Sequence, residues 1–490
     1  MKKNIIKKEK KMIDYNNKIT IHRQMYPIKD INNSFESDRG RILSAPALRR
    51  LQKKTQVFPL ELNAAVRSRL THSLEVSQTS RYIAKTIIKK LDKKHGLDEL
   101  GDAFVSTAEM TSLLHDIGNP PFGHFAEVAI NDWMRNKGVK LLDDLVDVEE
   151  ENQEFKEMLV EDICNFDGNA QAIRVVTKLQ RLNLSYTQIA AILKYSRAAY
   201  EKRPSKDHPY SYLMKKPGFY YSEKDIVKEI CETLNIKKGC RFPITYIMEA
   251  ADDISYLNAD MEDAVDKGIL KFEDVYRLIK EHCEKIGETY LHDLVEGFYK
   301  KAKENEDEPY QFNLFLTLTR AKLTHALVEH VSDIYVQNHE KIFNGEFNDA
   351  LLEFDKNSKY TKAINILQEI SVKYIYSNKD KQTLELKGHK ILSSLLDIYT
   401  PLLKLSNTEF FDLISDKNIP CFLSQRLVKR LSSKHIVAYK NSLDDIEHSK
   451  NSDKYKLEEW YLRARLLIDY ISGMTDDFAL DEYKTLNALK

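Results

Sequence analysis

The stretch Leu113-Leu114-His115-Asp116-Ile117-Gly118-Asn119-Pro120-Pro121-Phe122-Gly123-His124-Phe125-Ala126-Glu127 decides how this chain is read. An apolar, helix-like run ends in an adjacent His-Asp pair. Gly118-Asn119-Pro120-Pro121 then stops the helix abruptly. A second His and a Glu follow at once. Two imidazoles and two carboxylates therefore fall within thirteen residues, the donor types that metal-assisted hydrolysis requires.

Outward from this stretch the pattern stays helical. The chain has only 15 Gly and 12 Pro in 490 residues. Val76 to Leu91 and Ala170 to Leu193 carry helical periodicity, strand-like alternation is rare, and no internal repeat stands out. The expected fold is all-α, with a helical core, helical insertions and a helical C-terminal region. Residues 1–35 read as a basic tail, 36–300 as the catalytic core and 301–490 as the C-terminal region. The last boundary rests on the polar, turn-like run Lys303 to Pro309. Inside the core, acidic residues 139–165 read as a solvated surface excursion. Residues 201–225, with Pro204, Pro209, Pro217 and Gly218, read as a structured loop.

Composition narrows the function. Hydrophobic residues at 42% and charged residues at 31% are ordinary for a soluble protein. Lys+Arg and Asp+Glu both number 75, so overall charge points to neither nucleic acid nor an acidic partner. A phosphate site must be a local cluster. Lys2, Lys3, Lys7, Lys8, Lys10 and Lys11 precede no apolar core of signal-peptide length. They read as a solvated tail, with a nucleic-acid arm as the competing reading. No run approaches the roughly 20 apolar residues that span a bilayer. The five cysteines show no CxxC spacing, which suggests free thiols in a reducing cytoplasm.

Two further segments extend the metal-ligand pattern. His72, in Arg67-Ser68-Arg69-Leu70-Thr71-His72, opens a helical pattern. Asp252, Tyr256 and Asp260 stand at i, i+4 and i+8, on one helical face, and Asp253 points away from it. His72, His115, Asp116 and Asp252 make a mixed nitrogen and oxygen set that suits Mn²⁺, Fe²⁺, Zn²⁺ or hydrated Mg²⁺. No cysteine joins it, unlike a structural zinc site.

The order His72 … His115-Asp116 … Asp252 resembles the signature of HD-domain phosphohydrolases. Longer blocks resemble the deoxyguanosinetriphosphate triphosphohydrolase family: Asp38-Arg39-Gly40-Arg41-Ile42, Thr55-Gln56-Val57-Phe58-Pro59, Phe166-Asp167-Gly168-Asn169-Ala170-Gln171, Glu249 to Tyr256, and Asp469-Tyr470-Ile471-Ser472-Gly473-Met474-Thr475-Asp476. They run in order from about residue 36 to 485.

The resemblance implies hydrolysis of a deoxynucleoside triphosphate, preferentially dGTP, at the α-phosphate. The products are deoxynucleoside and triphosphate, and a divalent metal (Mg or Mn first, with Fe, Co or Zn as alternatives) is required. It makes Arg69 a phosphate contact, His124 the catalytic histidine and Glu127 its orienting partner. Asn169, Lys194, Tyr195 and Lys216, with Lys215 beside it, become substrate-pocket residues. Tyr256 would lie against the deoxyribose and leave no room for a 2′-hydroxyl, while Gln56 and Asp260 would add hydrogen bonds. Relatives form homo-oligomers, commonly hexamers, and some bind single-stranded DNA. Arg463 and Arg465 read as snorkelling residues of a docking helix, or by resemblance as a contact to a neighbour's active site. Competing functions are a broad-specificity, nucleotide-activated dNTP hydrolase, another HD-domain nucleotide phosphohydrolase, and a non-catalytic nucleotide or single-strand sensor.

Overall fold

The computed structural model describes residues 13–489 apart from 62, 416, 418–420 and 451. It is helical throughout, apart from a two-stranded parallel pair, Arg197–Ala198 with Pro217–Phe219. This pair lies in and beside the expected loop, whose remainder to residue 216 is irregular.

Local sequence explains the helices that position the site. Helix α1 (Ile31–Leu43) starts at the Asp30 cap, whose side chain accepts from Asn33 N. Helix α2 (Arg69–Lys90) starts at a reciprocal Ser68–Thr71 cap and buries Val76, Ile83 and Ile87 on one face. Helix α3 (Leu97–Leu114) follows left-handed Gly96, carries Asp98 and Glu99 at its positive end, and stops at His115. Helix α4 (His124–Trp133) resumes after the Gly/Pro turn.

The acidic segment 139–165 exposes Asp143, Asp144, Asp147, Glu149, Glu150, Glu151, Glu154, Glu157 and Glu161, and buries Asp162. It contains helix α5 (Gln153–Ile163), which buries Leu159, Asp162 and Ile163. Apolar residues spaced among the acids give it a face to bury. The segment Ala170 to Leu193 is also not one helix. It divides into α6 (Gly168–Arg174) with a π-turn at Val175–Leu179, and α7 (Tyr186–Ile192). Arg181 and Asn183 at positive φ reverse the chain between them.

Helix α8 (Thr245–Asp266) carries Asp252, Tyr256 and Asp260, and α9 (Glu308–Gln337) packs along α2. Helix α10 (Lys379–Leu403) packs on α4. Helix α11 (Asp453–Ser472) packs on α5, and α12 (Asp476–Leu486) closes the fold.

Two apolar cores result. One gathers Phe104, Val76, Ile247 and Leu327; the other gathers Trp133, Leu159, Leu395 and Trp460. Neither ends at residue 300: α9 belongs to the first core with α2, and α11 to the second with α5. The expected tail is also shorter than 1–35, because Tyr15 and Ile19 are buried in the first core. The lysines from Lys2 to Lys11 lie outside the described residues. No described helix is long and apolar enough to cross a membrane.

Candidate active site

The opening stretch bridges the two cores: Ile117 is buried in one and Phe122 in the other. Its turn lies flush against the start of α6. A Cβ on Gly118 would stand 2.1 Å from the Gly168 carbonyl oxygen, and one on Gly168 would stand 1.9 Å from Asn119 Oδ1. Only glycine at both positions permits this approach. It places Glu127 beside Gly168, whose N–H donates to Glu127 Oε1 at 2.9 Å.

His72 from α2, His115 from the end of α3 and Asp252 from α8 converge. One ligand atom from each lies within 4.8 Å of the others. His72 Nε2 is 3.1 Å from Asp252 Oδ1, and His115 Nε2 is 3.5 Å from the same oxygen. His115 Nδ1 is 2.7 Å from the Ser112 carbonyl, so that nitrogen carries the proton and Nε2 keeps its lone pair for a metal. His72 is buried; its Nδ1 has no partner among the described residues, and its Nε2 faces the cluster. These donors fit a divalent cation of the first transition row or magnesium.

Asp116 stands at the edge of this group. Its Oδ2 is 3.5 Å from His115 Nε2 but 2.5 Å from Arg69 Nη1, and Asn119 donates to Oδ1. Burial works against the charged carboxylates here. For Asp116, Arg69 and the two histidines outweigh burial and hold the carboxyl down at about 2. For Asp252, His115, His72 and Lys194 do the same, well below the usual range. Both carboxylates are thus ready to ligate at neutral pH.

His124 opens α4 with its side chain 71% exposed, and its Nδ1 is 3.1 Å from Glu127 Oε2. Burial opposes ionised Glu127, but the bond from His124, Lys216 and the Gly168 N–H lower its carboxyl overall. An imidazole held by an ionised carboxylate is pre-oriented for proton transfer.

His115, Asp116, Asp252 and His124 line a cleft of about 420 Å³ with Gln56, Arg69, Asp253 and Tyr256, while His72 and Glu127 stand behind them. Arg69 Nε and Gln56 Oε1 are buried without a partner among the described residues. Asp260 is buried behind the wall and accepts from Tyr376 Oη, whose oxygen also pairs with the Tyr256 hydroxyl. Asn169 is turned to Asp167, 2.8 Å away, and does not line the cleft. Lys194 sits behind Asp252 and Asp253 and beside Glu249. Lys216 Nζ lies 3.9 Å from Asp167 Oδ2, close to Glu127. Tyr195 is buried, with the Lys215 ammonium 5.7 Å from its ring centroid.

Several wall residues escaped the sequence reading. Asp253 lines the cleft instead of facing away, and burial pushes its carboxyl up to about 8. Tyr376, Lys381 and Glu385 come from beyond residue 300. Lys381 and Glu385 have the i, i+4 spacing of an ordinary surface pair, and Tyr376 is one of 26 tyrosines, so no local signal marks them. Arg463 and Arg465 neither snorkel nor reach outward. Both are fully buried, Arg465 on Asp162 at 2.6 Å and Arg463 on Glu459 at 2.8 Å. Acceptors supplied by tertiary packing hold them.

A helical fold that converges two histidines and an aspartate beside an Arg69–Asp116 pair defines an HD-domain phosphohydrolase. The HD domain family matches residues 69–193, and the phosphohydrolase-associated domain family matches 424–485. The chain is 44% identical, over 97% of its length and 99% of theirs, to the deoxyguanosinetriphosphate triphosphohydrolases of Yersinia pestis (strain Pestoides F) and Yersinia pseudotuberculosis serotype O:3 (strain YPIII). It belongs to the deoxyguanosinetriphosphate triphosphohydrolase family.

Proposed function

We propose that this protein hydrolyses deoxynucleoside triphosphates at the α-phosphate, with dGTP preferred. One observation carries the reading: His115 and Asp252 of the metal-ligand cluster, the exposed His124 that Glu127 holds, and Arg69 face one cleft. A water oxygen bonds to the α-phosphorus, the bond from phosphorus to the 5′-oxygen breaks, and that oxygen takes up a proton. Deoxynucleoside and triphosphate leave.

His72, His115, Asp116 and Asp252 would hold the divalent metal, Mg or Mn by preference. When bound, it supplies Lewis-acid polarisation of a phosphoryl oxygen. Arg69 offers its guanidinium to a phosphate oxygen, with Lys194 and Lys216 adding positive charge nearby. Tyr195 and Asn169 support these lysine-bearing segments. His124 delivers the proton to the 5′-oxygen, held in line by Glu127. Tyr256 and Tyr376 lie 6.2 Å apart with rings 20° from parallel, a wall against which a 2′-hydroxyl has no place. Asp260 holds Tyr376 in that wall, and Gln56 Oε1 accepts from the sugar or base. The Glu385 carboxylate matches the adjacent N–H and NH₂ donors of guanine, which supports the preference for dGTP.

The reading extends to a homo-oligomer, a hexamer, in the cytoplasm; five unpaired cysteines suit a reducing compartment. The lysine-rich start of the sequence supports a contact with single-stranded DNA, which would weaken steeply with salt.

The test is a product-resolved assay of the four dNTPs, singly and in pairs, with Mg²⁺ or Mn²⁺ and GTP as the ribose control. Deoxyguanosine and triphosphate are expected from dGTP. Appearance of dGMP or dGDP overturns the reaction; equal rates for all four overturn the preference.

A further inference from the structure

The backbone that delivers His124 is strained. Phe122 has φ 65° and Gly123 has φ 75° with ψ −155°. Left-handed backbone is costly for a residue with a Cβ and persists only where its surroundings impose it. The exposed His124 ring has Glu127 as its side-chain anchor, so its place in the cleft depends on this turn.

The imposing group comes from the far end of the chain. Asp476, the first residue of α12, is 2% exposed. Its Oδ1 accepts from Phe122 N at 3.0 Å. Its Oδ2 accepts from Thr55 N at 3.1 Å and from the Thr55 hydroxyl. Thr55 pairs with Ser68, and Arg69 N donates to the Lys54 carbonyl at 3.0 Å. One carboxylate therefore joins the segment that leads to His124 with the segment that holds Arg69. Two more contacts secure the turn. The buried Lys54 ammonium donates to the Asn119 carbonyl at 2.5 Å and to the Ser472 carbonyl at 2.8 Å. Gly388 on α10 leaves room for Phe122: a Cβ there would stand 2.5 Å from Phe122 Cβ.

We infer that Asp476 is a positioning residue, whose carboxylate sets the spacing between Arg69 and His124 by clamping Phe122 and Thr55 together. The segment matched by the phosphohydrolase-associated family thereby acts on the reaction without touching substrate. The inference rests on His124 as the proton-transfer group.

Asp476→Asn keeps one acceptor oxygen but turns an NH₂ donor toward an N–H, so one side of the clamp opens. Gly388→Ala presses on Phe122 from the opposite side and leaves the carboxylate intact. Each variant should lower kcat for dGTP about 10- to 100-fold, the effect of an ångström-scale misplacement. Bound-metal stoichiometry should stay within about twofold in both, as neither variant touches the ligands, and KM should stay within about twofold in Gly388→Ala, which leaves Gln56 and Arg69 in place. Amide exchange should accelerate in peptides covering 119–125, and in Asp476→Asn also at 53–58, with other peptides unchanged.

Retention of kcat within about threefold in either folded variant overturns the inference. So does a fall in kcat that comes with metal loss or with faster exchange throughout the chain, which marks a merely structural role. Should Asp476→Asn not fold, Gly388→Ala decides alone. If the parent protein makes no deoxyguanosine, the proposed function fails, while the local exchange pattern still reads the clamp.

Discussion

His124 and His115 answer to different tests, although nine positions apart in sequence. His124→Ala should lower kcat by about 10²–10⁴-fold and leave metal content unchanged, because the ring lies outside the ligand cluster. His115→Ala should lose metal and turnover together, and metal analysis beside the assay separates the two. Another histidine controls acid stability. His339 lies against Tyr15, Tyr335 and His95. Burial, helped by His95, lowers its imidazole from 6.5 to about 4. Between those values the unfolded chain takes up a proton that the folded chain refuses. The stability is thus present above pH 6.5 and lost as pH falls toward 4, on the order of 2 kcal/mol. Urea unfolding at pH 7 and pH 4.5 should show the parent losing that much more than His339→Gln; equal losses would remove this role. At this scale the metal-ligand types were legible. That Asp116 leans on Arg69, and that Asp253 enters the cleft, were not, since both depend on residues remote in sequence.

Helix starts and stops were readable where caps and breakers sit next to one another. The Ser68–Thr71 cap and the Gly118 to Pro121 stop are of this kind. The division of Ala170 to Leu193 was not, because its apolar spacing continues through a reversal made by two non-glycine residues at positive φ. The acidic segment hid α5 for a related reason: charge dominates its composition while three residues decide its burial. Helix α5 then depends on α11. The Arg465–Asp162 pair is fully buried on both sides. Arg465→Met leaves that carboxylate uncompensated and should cost about 3–5 kcal/mol, read as a lower denaturant midpoint. A change under about 1 kcal/mol would mean that Tyr461 and the Tyr221 N–H already satisfy Asp162.

Across the whole molecule, the two cores interlock instead of following one another in sequence. Arg174 of α6 is held by Asp469 of α11 at 2.8 Å, and Lys54 reaches Ser472. A chain cut after residue 300 should therefore fail to fold. It lacks α9 against α2 and α11 against α5, and should show weak helical circular dichroism and fast proteolysis; a cooperative, helical fragment would contradict this. The sequence by itself determined the helical class and offered His72, His115, Asp116 and Asp252 as ligand candidates and His124 with Glu127 as a pair. The class depends on residue type and spacing within a few turns of helix, the candidates on motifs whose order along the chain resembles a family. Only the tertiary structure decided which residues close the cleft, that Arg463 and Arg465 are buried, and that Asp476 bonds both Phe122 and Thr55. The physical reason is that burial, ion pairing and backbone strain are set by neighbours in space, here up to 421 positions apart along the chain.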